Sequence, residues 1–518
     1  MNAAIEHPPR RLRILLAQPS PFEPGRLGLE NIVWLSEPVA LTSLAAIVPE
    51  HEVRILDMRL EVDLAFNAML REFRPDIVGV TSMTTDCYQA KALLEIAKGT
   101  LGPSCVTIVG GHHPTLAPAD FEADCVDAMC IGEGEDTFRE FVEHVARGGR
   151  ADALGQVAGL RWRDAQGRWQ ASPKRAQMRE LDSLPKPARH LIRKYAKDYF
   201  FTASGAMASI ATSRGCSFDC NFCAIWEFYE RKTRFLSAAA ICDQLEDIEE
   251  DFVFFLDDNF LTHRRRLEQL CDEIARRGIR KYWGTQGRAD FIADHPDLMR
   301  RLRDAGLLMV LSGYESNDED ALAALLKRST VDKNRRAAAL MRELGIFSTG
   351  IFMVRPDFEE ADFDALYDHI NELGVSLPLV TILTPLPGTQ LHRARKAELL
   401  TDDARLFDLL HAVLPTKLPR ERFYAKLAEA NARTWPAFQA GVAAVLRVRP
   451  EAFLTAGAGI LRFLRNASSH RPIIEDYRSH LRDEIGIIDA SVRADASPPS
   501  HAPSMPKQAR RHLPLVGA

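Results

Sequence analysis

The chain has no run of about 20 uncharged apolar residues, so no transmembrane helix is expected. The segment from Met1 to Arg13 carries Pro8, Pro9, Arg10, Arg11 and Arg13. It lacks the apolar core of a signal peptide. No internal repeat, phosphate-binding glycine loop or Ser-His-Asp arrangement is evident. Charge of one sign is also scarce. The 66 Lys and Arg against 71 Asp and Glu leave a net charge of -5, which gives no reason to expect nucleic acid. The nine cysteines are odd in number and show no disulfide-like framework, which points to a reducing, cytoplasmic compartment. What is present is ordinary: 518 residues, 46% hydrophobic and 26% charged. That is enough for two or three globular domains.

Three cysteines stand apart from the rest. The run Thr212-Ser213-Arg214-Gly215-Cys216-Ser217-Phe218-Asp219-Cys220-Asn221-Phe222-Cys223 sets Cys216, Cys220 and Cys223 on one short loop with C-x3-C-x2-C spacing. A structural zinc wants a fourth ligand, usually from a second C-x2-C or H-x3-H pair, and none follows. Three thiolates are the donor set of a cubane [4Fe–4S] cluster that keeps one iron open for a substrate or cofactor. The remaining cysteines, Cys87, Cys105, Cys125, Cys130, Cys242 and Cys271, are scattered through mostly apolar segments. They read as buried structural thiols.

The first 150 residues alternate between strand and helix patterns. Strand-like runs cover 13–19, 51–57, 75–81, 106–111 and 128–132; helical patterns cover 37–49, 60–73, 85–100 and 136–147. Such alternation predicts a doubly wound parallel sheet, with ligands over the carboxyl ends of its strands. Those ends carry Ser82-Met83-Thr84-Thr85, Gly110-Gly111-His112-His113-Pro114-Thr115 and Gly132-Glu133-Gly134-Glu135. Glycines there allow a ligand close to the backbone, and the helix after Gly134 offers free amides. Residues 151–205 read as a connector. It holds a small hairpin turning at Ala165-Gln166-Gly167 and a proline-containing spacer, Asp182 to Arg189.

Residues 206–395 repeat strand and helix six times, with strands at 208–212, 252–256, 282–286, 307–311, 347–353 and 380–385. Six repeats predict an open, partial TIM-type barrel whose chemistry sits at the C-terminal mouth. Residues 396–488 read as a helical region, with helices at 423–430, 436–448 and 450–464. Their apolar faces suit packing against the barrel; basic-flanked apolar helices also suit peripheral membrane contact. By composition 1–11 and 489–518 are disordered ends.

The cysteine loop, with Arg214-Gly215 before it, resembles the cluster-binding loop of the radical S-adenosylmethionine (SAM) superfamily. Phe222 matches the aromatic that packs near the SAM adenine there. The glycine runs over about residues 12–150 resemble the cobalamin-binding domain that precedes many radical SAM domains. The resemblance implies an α/β chain: a Rossmann-like cobalamin-binding domain at 12–150, a partial (β/α)6 radical SAM barrel at 206–395 and a helical C-terminal region. It implies three cofactors: a [4Fe–4S] cluster on Cys216, Cys220 and Cys223, SAM, and cobalamin. For SAM it implies Phe222, Asp258, Arg288 and Glu315. Asp257-Asp258-Asn259 takes the place of the Gly-Gly-Glu motif at the SAM amino group. Arg288 is placed for the SAM carboxylate, which a guanidinium meets with two bonds. Glu315 is placed for the ribose or amino group. Without the resemblance, Asp258, Arg288 and Glu315 are also what a surface ion pair or a cap uses. For cobalamin it implies Ser82, Thr84, Gly110, Gly111, His112, Gly132, Glu133 and Gly134. One departure is plain: no Asp-x-His-x-x-Gly loop follows the first or third strand. His112 and His113 are therefore not assigned to cobalt, and are expected to shape the loop over the dimethylbenzimidazole tail.

The resemblance implies a mechanism. Reductive cleavage of SAM at the cluster makes a 5′-deoxyadenosyl radical, which takes hydrogen from an unactivated carbon. Cobalamin carries a methyl group that the substrate radical then accepts. An electron donor such as ferredoxin or flavodoxin is implied. The motif Leu383-Thr384-Pro385-Leu386-Pro387-Gly388-Thr389, the segment Tyr199-Phe200, Leu418-Pro419 and Phe423-Tyr424 look most like hopanoid C-3 methylases, which methylate ring A of a triterpenoid lipid. That implies a small lipid substrate and a place at the inner membrane. Other readings stay open. One is a methylase or ring cyclase of bacteriochlorophyll or another tetrapyrrole. Another is a non-catalytic cobalamin-binding sensor, against which the intact cysteines, Arg288 and Glu315 argue. A methylthiotransferase needs a second three-cysteine cluster, which Cys87, Cys105, Cys125 and Cys130 do not provide.

Overall fold

The computed structural model describes residues 9–20, 34–201 and 205–448. Its N-terminal part contributes β1 (Arg13–Gln18), β2 (Trp34–Leu35), β3 (Glu52–Asp57), β4 (Ile77–Thr81), β5 (Val106–Gly110), β6 (Ala128–Cys130), β7 (Leu160–Arg163) and β8 (Trp169–Ala171). All but β2 form one sheet in the order β3-β1-β4-β5-β6-β7-β8. The strands from β3 to β6 are parallel, and β7 and β8 add on antiparallel. Ile14 to Ala17 and Ile77 to Val80 are buried without alternation. That is the signature of a parallel strand covered on both faces. Ile14 and Leu16 face one core and Leu15 and Ala17 the other. β1 lies between β3 and β4, so the winding direction reverses there. A crevice at the carboxyl ends of β1 and β4 follows, the place where doubly wound sheets take ligands.

The hairpin expected inside a connector instead completes this sheet. Ala128 pairs with Trp162 and Cys130 with Leu160. The short strand β6 would otherwise present an open edge, and the hairpin covers it.

The second part contributes β9 (Phe200–Phe201), β10 (Gly205–Ala206), β11 (Ala208–Ile210), β12 (Ser213–Arg214), β13 (Arg234–Phe235), β14 (Phe252–Phe255), β15 (Tyr282–Gln286), β16 (Leu307–Glu315), β17 (Phe347–Val354) and β18 (Leu377–Ile382). Six of them form a parallel sheet in sequence order, β11-β14-β15-β16-β17-β18, the partial barrel. Strand β16 runs on to Glu315, past the expected end at 311, with a shift of register against β17 near Gly313. Strand β18 starts at Leu377, earlier than expected, because Pro378 is tolerated on an edge strand. A small antiparallel sheet, β10-β9-β2, ties the two parts together.

Phe252 and Phe254 alternate with Val253 and Phe255 along β14. The first pair joins Phe201, Met207, Met309, Phe347 and Val445 inside the barrel, with Trp34, Leu256, Leu377 and Leu379 partly buried against them. The second pair faces the surrounding helices. The floor of the barrel, at the N-terminal ends of its strands, is therefore an apolar, aromatic plug.

The helices expected at 423–430 and 436–448 are one continuous helix, Arg420–Val448, with Pro436 inside it. Its start packs on the helix Glu360–Leu373, where the Tyr367 hydroxyl donates to the Lys426 carbonyl at 2.7 Å. Further on, Gly441 lies against the backbone of Ser376, just before β18. The helix expected at 450–464 lies outside the described residues. Among the described residues no helix is long and apolar enough to cross a membrane.

Two glycines in helices give a paired test of this packing. A Cβ at Gly441 would fall on the Ser376 backbone, whereas one at Gly99 would meet nothing within 4 Å. Gly441→Ala should cost about 1–3 kcal/mol through overpacking. Gly99→Ala, in the exposed face of Cys87–Leu101, should add about 0.5–1 kcal/mol. Urea midpoints moving in opposite directions are the expected result.

Candidate active site

The cysteine loop is bounded by a two-stranded clasp. Ser213 and Arg214 in β12 pair with Phe235 and Arg234 in β13. Gly215, at φ +85°, makes the turn into the loop, and any side chain there would strike Tyr229 and the Lys232 carbonyl. Within the loop, the Cys223 amide donates to the Cys220 carbonyl at 3.1 Å. The Trp226 indole donates to the same oxygen at 2.9 Å. All three thiols are free; Cys220 is buried, Cys216 and Cys223 half-buried. Burial pushes the Cys223 thiol up to about 12, and that of Cys216 upward as well. Among the described residues no three His, Cys, Asp or Glu side chains converge on a point that would suit a single metal ion. Three soft thiols on one loop are the donor set of a cubane, whose irons are bound one per thiolate.

Neighbouring carboxylates divide their work. Asp257 is buried and accepts from the Thr212 amide at 2.6 Å, the Thr212 hydroxyl at 2.5 Å and the Ser213 amide at 3.0 Å. It fixes the strand that leads into the loop. Asp258 keeps a single bond, from the Gly215 amide at 3.1 Å, and loss of hydration pushes its carboxyl up to about 6. Its remaining acceptor capacity faces the cavity described below.

The other residues expected around SAM lie on the far side of the same loop. The Arg288 guanidinium is buried, with its carbon 3.6 Å from the Phe218 ring centroid and Nη1 3.9 Å from Cys220 Sγ. It is paired with Asp290 at 2.9 Å and donates to the Lys327 carbonyl. Glu315 is buried at φ +64°, a left-handed conformation at the register shift of β16, and takes the Lys327 ammonium at 2.5 Å. Phe222 packs with Leu325, Met353, Leu383 and Leu391. Arg288, Phe218 and Cys220 are thus in direct contact, and Lys327 links Arg288 to Glu315.

A cavity of about 470 Å³ opens where the two parts meet. It runs down the sheet face between Leu16, Gly79 and Ile108 on one side and Leu44 and Phe138 on the other. Its mouth is formed by Gly110, Gly111, His112 and Gly132 to Glu135 from the first part, and by Ser213, Arg214, Phe228, Tyr229, Leu256 and Asp258 from the second. A cavity with an apolar floor at the switch point of a doubly wound sheet, with glycines at its lip, lies where such folds take a large organic cofactor. Gly111, at φ +108°, has the Ser82 carbonyl 2.7 Å from where a Cβ would stand. The expected cobalamin residues Gly110, Gly111, His112, Gly132, Glu133 and Gly134 all line this cavity. Ser82 and Thr84 do not. The Ser82 hydroxyl donates to Asp86 at 2.8 Å, and their neighbours Met83, Thr85 and Asp86 reach the cavity instead.

His112 and His113 point different ways. His113 is buried against Phe121 and its Nε2 is 2.9 Å from Asp120. His112 lies 4.6 Å from the Phe228 ring, and its buried Nε2 has no hydrogen-bond partner among the described residues. Burial holds the His112 imidazole below its ordinary range, so it is neutral.

Sequence reasoning missed the ion network that joins the two lips. Arg214 donates to Glu133 at 2.9 Å and to Glu135 at 3.1 Å. Arg234 donates to the other oxygen of Glu133 at 2.7 Å and to the Met178 carbonyl at 2.8 Å. Glu133 also accepts from the Met178 amide at 3.0 Å. Burial alone would raise the Glu133 carboxyl, but the bonds from Arg234 and Arg214 leave it below its ordinary value. The only local signals were Arg214 beside the cysteines and two glutamates flanking Gly134.

Removing Arg214 leaves Glu135 without this partner and Glu133 half-paired. Arg214→Ala should cost about 3 kcal/mol or more, and limited proteolysis should then cut between the parts sooner. His112 supplies a pH test. As pH falls through 6.5 the unfolded chain takes a proton at this position and the folded chain does not, so stability falls on the acid side. His112→Asn should flatten the slope of stability between about pH 5 and pH 7.

The B12 binding domain family model matches residues 26–142, and the Radical SAM superfamily model matches residues 210–370. The chain is 30% identical over 424 residues to the hopanoid C-3 methylase of Methylococcus capsulatus, covering 81% of this chain and 79% of that one. It is 28% identical to the anaerobic magnesium-protoporphyrin IX monomethyl ester cyclase of Rubrivivax gelatinosus over 342 residues, 65% of this chain and 60% of the relative. It is 23% identical to the bacteriochlorophyllide d C-12(1)-methyltransferase of Chlorobaculum tepidum, covering 67% and 72%. The solved structure of the cobalamin-dependent SAM radical enzyme OxsB, with aqua-cobalamin and SAM bound, superposes with a TM-score of 0.63 at 15% identity, covering 95% of this chain and 82% of that one. The two share a fold.

Proposed function

This chain belongs to the cobalamin-dependent radical SAM methyltransferases, and from that premise we propose that it methylates an unactivated carbon of an apolar polycyclic lipid, at C-3 of hopanoid ring A. Its cofactors are a [4Fe–4S] cluster, SAM and cobalamin. When bound, the cluster and SAM supply hydrogen abstraction from carbon, and cobalamin supplies the methyl group.

The observation that carries the substrate reading is the barrel interior. Phe252, Phe254, Met309 and Phe347 close its floor without a charge, packed on Phe201, Met207 and Val445, and Leu256, Leu377 and Leu379 are partly open beside them. Leu256 also lies on the cavity between the parts, so it brings an apolar side chain to the mouth. The partly open leucines over this apolar floor offer a fused hydrocarbon skeleton area worth about 25 cal/mol per Å² buried. The hopanoid methylase relative points the same way.

In this reading Cys216, Cys220 and Cys223 hold the cluster. Asp258 accepts from the SAM amino group, Phe222 meets the adenine, and Arg288 and Glu315 shape the carboxylate and ribose sides. Gly110, Gly111, His112 and Gly132 to Gly134 hold cobalamin, with Ser82 and Thr84 acting through the loop they shape. The chain's own task is to fix the reacting carbon between two cofactors and to exclude water. An electron carrier such as ferredoxin or flavodoxin serves the cluster. A lipid substrate places the enzyme in the cytoplasm, in peripheral contact with the inner membrane. Tetrapyrrole methylation or ring closure is the second reading, favoured by the cyclase and bacteriochlorophyllide relatives.

Changing Cys216, Cys220 and Cys223 together to Ala should abolish iron and sulfide binding after anaerobic reconstitution. The substrate test incubates reconstituted protein with cobalamin, SAM, reductant and a desmethyl hopanoid, and follows both products by mass spectrometry. Hopanoid heavier by one CH2 together with 5′-deoxyadenosine is the expected result. 5′-Deoxyadenosine without methylated hopanoid would overturn the lipid and turn the search to tetrapyrroles.

A further inference from the structure

We propose that the outer face of the cysteine loop is the docking surface for a small acidic electron-carrier protein. The surface is built from two linked clusters. Asp219, between Cys216 and Cys220 in the chain, pairs with Arg328 at 2.8 Å and lies 3.7 Å from Arg231. Glu230, next to Arg231, pairs with Lys232 at 2.9 Å and with Lys174. Four cations thus share two carboxylates. The cations are the outer layer: the side chains of Arg231, Lys232, Arg328 and Lys174 are 54%, 61%, 63% and 73% exposed, against 16% for Asp219 and 37% for Glu230. An approaching protein therefore meets positive charge first.

An exposed apolar side chain stands two positions before Arg328. Leu326 is 41% exposed. Its loop is tied to the cysteines: the Asn221 amide donates to the Leu325 carbonyl at 3.3 Å, and the Asn221 side chain donates to the Ala324 carbonyl at 2.8 Å. Asn221 stands between Cys220 and Cys223. Glu230, Arg231, Leu326 and Arg328 all have left-handed φ, between +52° and +59°, in two tight turns on either side of the loop. These turns carry Arg231 and Arg328, which both reach Asp219 of the cysteine loop. An exposed apolar side chain beside an outer layer of positive charge suits a short-lived protein contact that is steered by charge and released quickly.

The occupant is fixed by that chemistry together with the demand of the site. The proposal rests on the radical reading, which requires electrons one at a time. One electron leaves the carrier, which is oxidised by one equivalent. It enters the cluster held by Cys216, Cys220 and Cys223, which is reduced by one. No bond forms or breaks.

The test uses the full, reconstituted chain and purified flavodoxin, an acidic carrier, with association measured by calorimetry. For the unchanged chain, the Kd should weaken by about tenfold or more between about 50 mM and about 500 mM salt. Lys232→Glu with Arg328→Glu should weaken low-salt binding by about tenfold and flatten the salt dependence. The same variant should form 5′-deoxyadenosine as the unchanged chain does when dithionite is the reductant, because a small ion needs no docking surface. A Kd indifferent to salt in the unchanged chain overturns the proposal and needs no variant to be read. So does a double variant that binds flavodoxin as tightly as before. If dithionite yields no 5′-deoxyadenosine even with the unchanged chain, the radical reading falls and takes this surface with it. If dithionite works and binding ignores the charges, only the docking surface falls.

Discussion

The network of Glu133 and Glu135 with Arg214 and Arg234 sets the geometry on which every other feature of the site depends. It joins the lip of the first part's cavity to the residue that opens the cysteine loop. The two carboxylates are only 10% exposed at their side chains, so each needs its partner. Charges removed from water to this degree are weak contributors to stability when paired and costly when a partner is lost. Their value lies in specificity. The placement of the two parts satisfies all four side chains together with the Met178 backbone. The distance between the two cofactor positions follows from that placement.

Around this anchor the site shows how adjacent, similar residues take different tasks. Asp257 spends its oxygens on the backbone of Thr212 and Ser213, while Asp258 keeps most of its capacity for a ligand. His113 is tied to Asp120, while His112 leaves a neutral ring nitrogen beside the Phe228 ring of the other part. Glu315 accepts a left-handed backbone and holds Lys327, whose carbonyl steadies Arg288. In each of the two adjacent pairs, Asp257 with Asp258 and His113 with His112, one member fixes the frame and the other faces the site.

The sequence made the local features legible and left the distant ones hidden. Uninterrupted apolar runs mark parallel strands because both faces of such strands are covered, and the five parallel strands of the first part were found within a few residues. The C-x3-C-x2-C loop and the glycine runs are contiguous, so their chemistry could be read directly. The Arg214–Glu133 pair spans 81 residues and left no local pattern. Ser82 was expected at a ligand, but its hydroxyl turns to Asp86 four residues on, a choice decided by the loop's conformation. Pro436 suggested a boundary between helices, yet packing of the long helix on the barrel outweighs one lost backbone bond. The shift of β18 to Leu377 depended on its being an edge strand, which only the assembled sheet reveals.

The β7–β8 hairpin changes where this chain can be divided. A cut at residue 150, where the alternating pattern ends, would strip two strands from the sheet and leave β6 with an open edge. Open edges of this kind recruit other strands, and the fragment would aggregate rather than fold alone. The unit that carries the first cavity wall therefore extends at least to Ala171, and exchange of whole modules between relatives would have to respect that later seam.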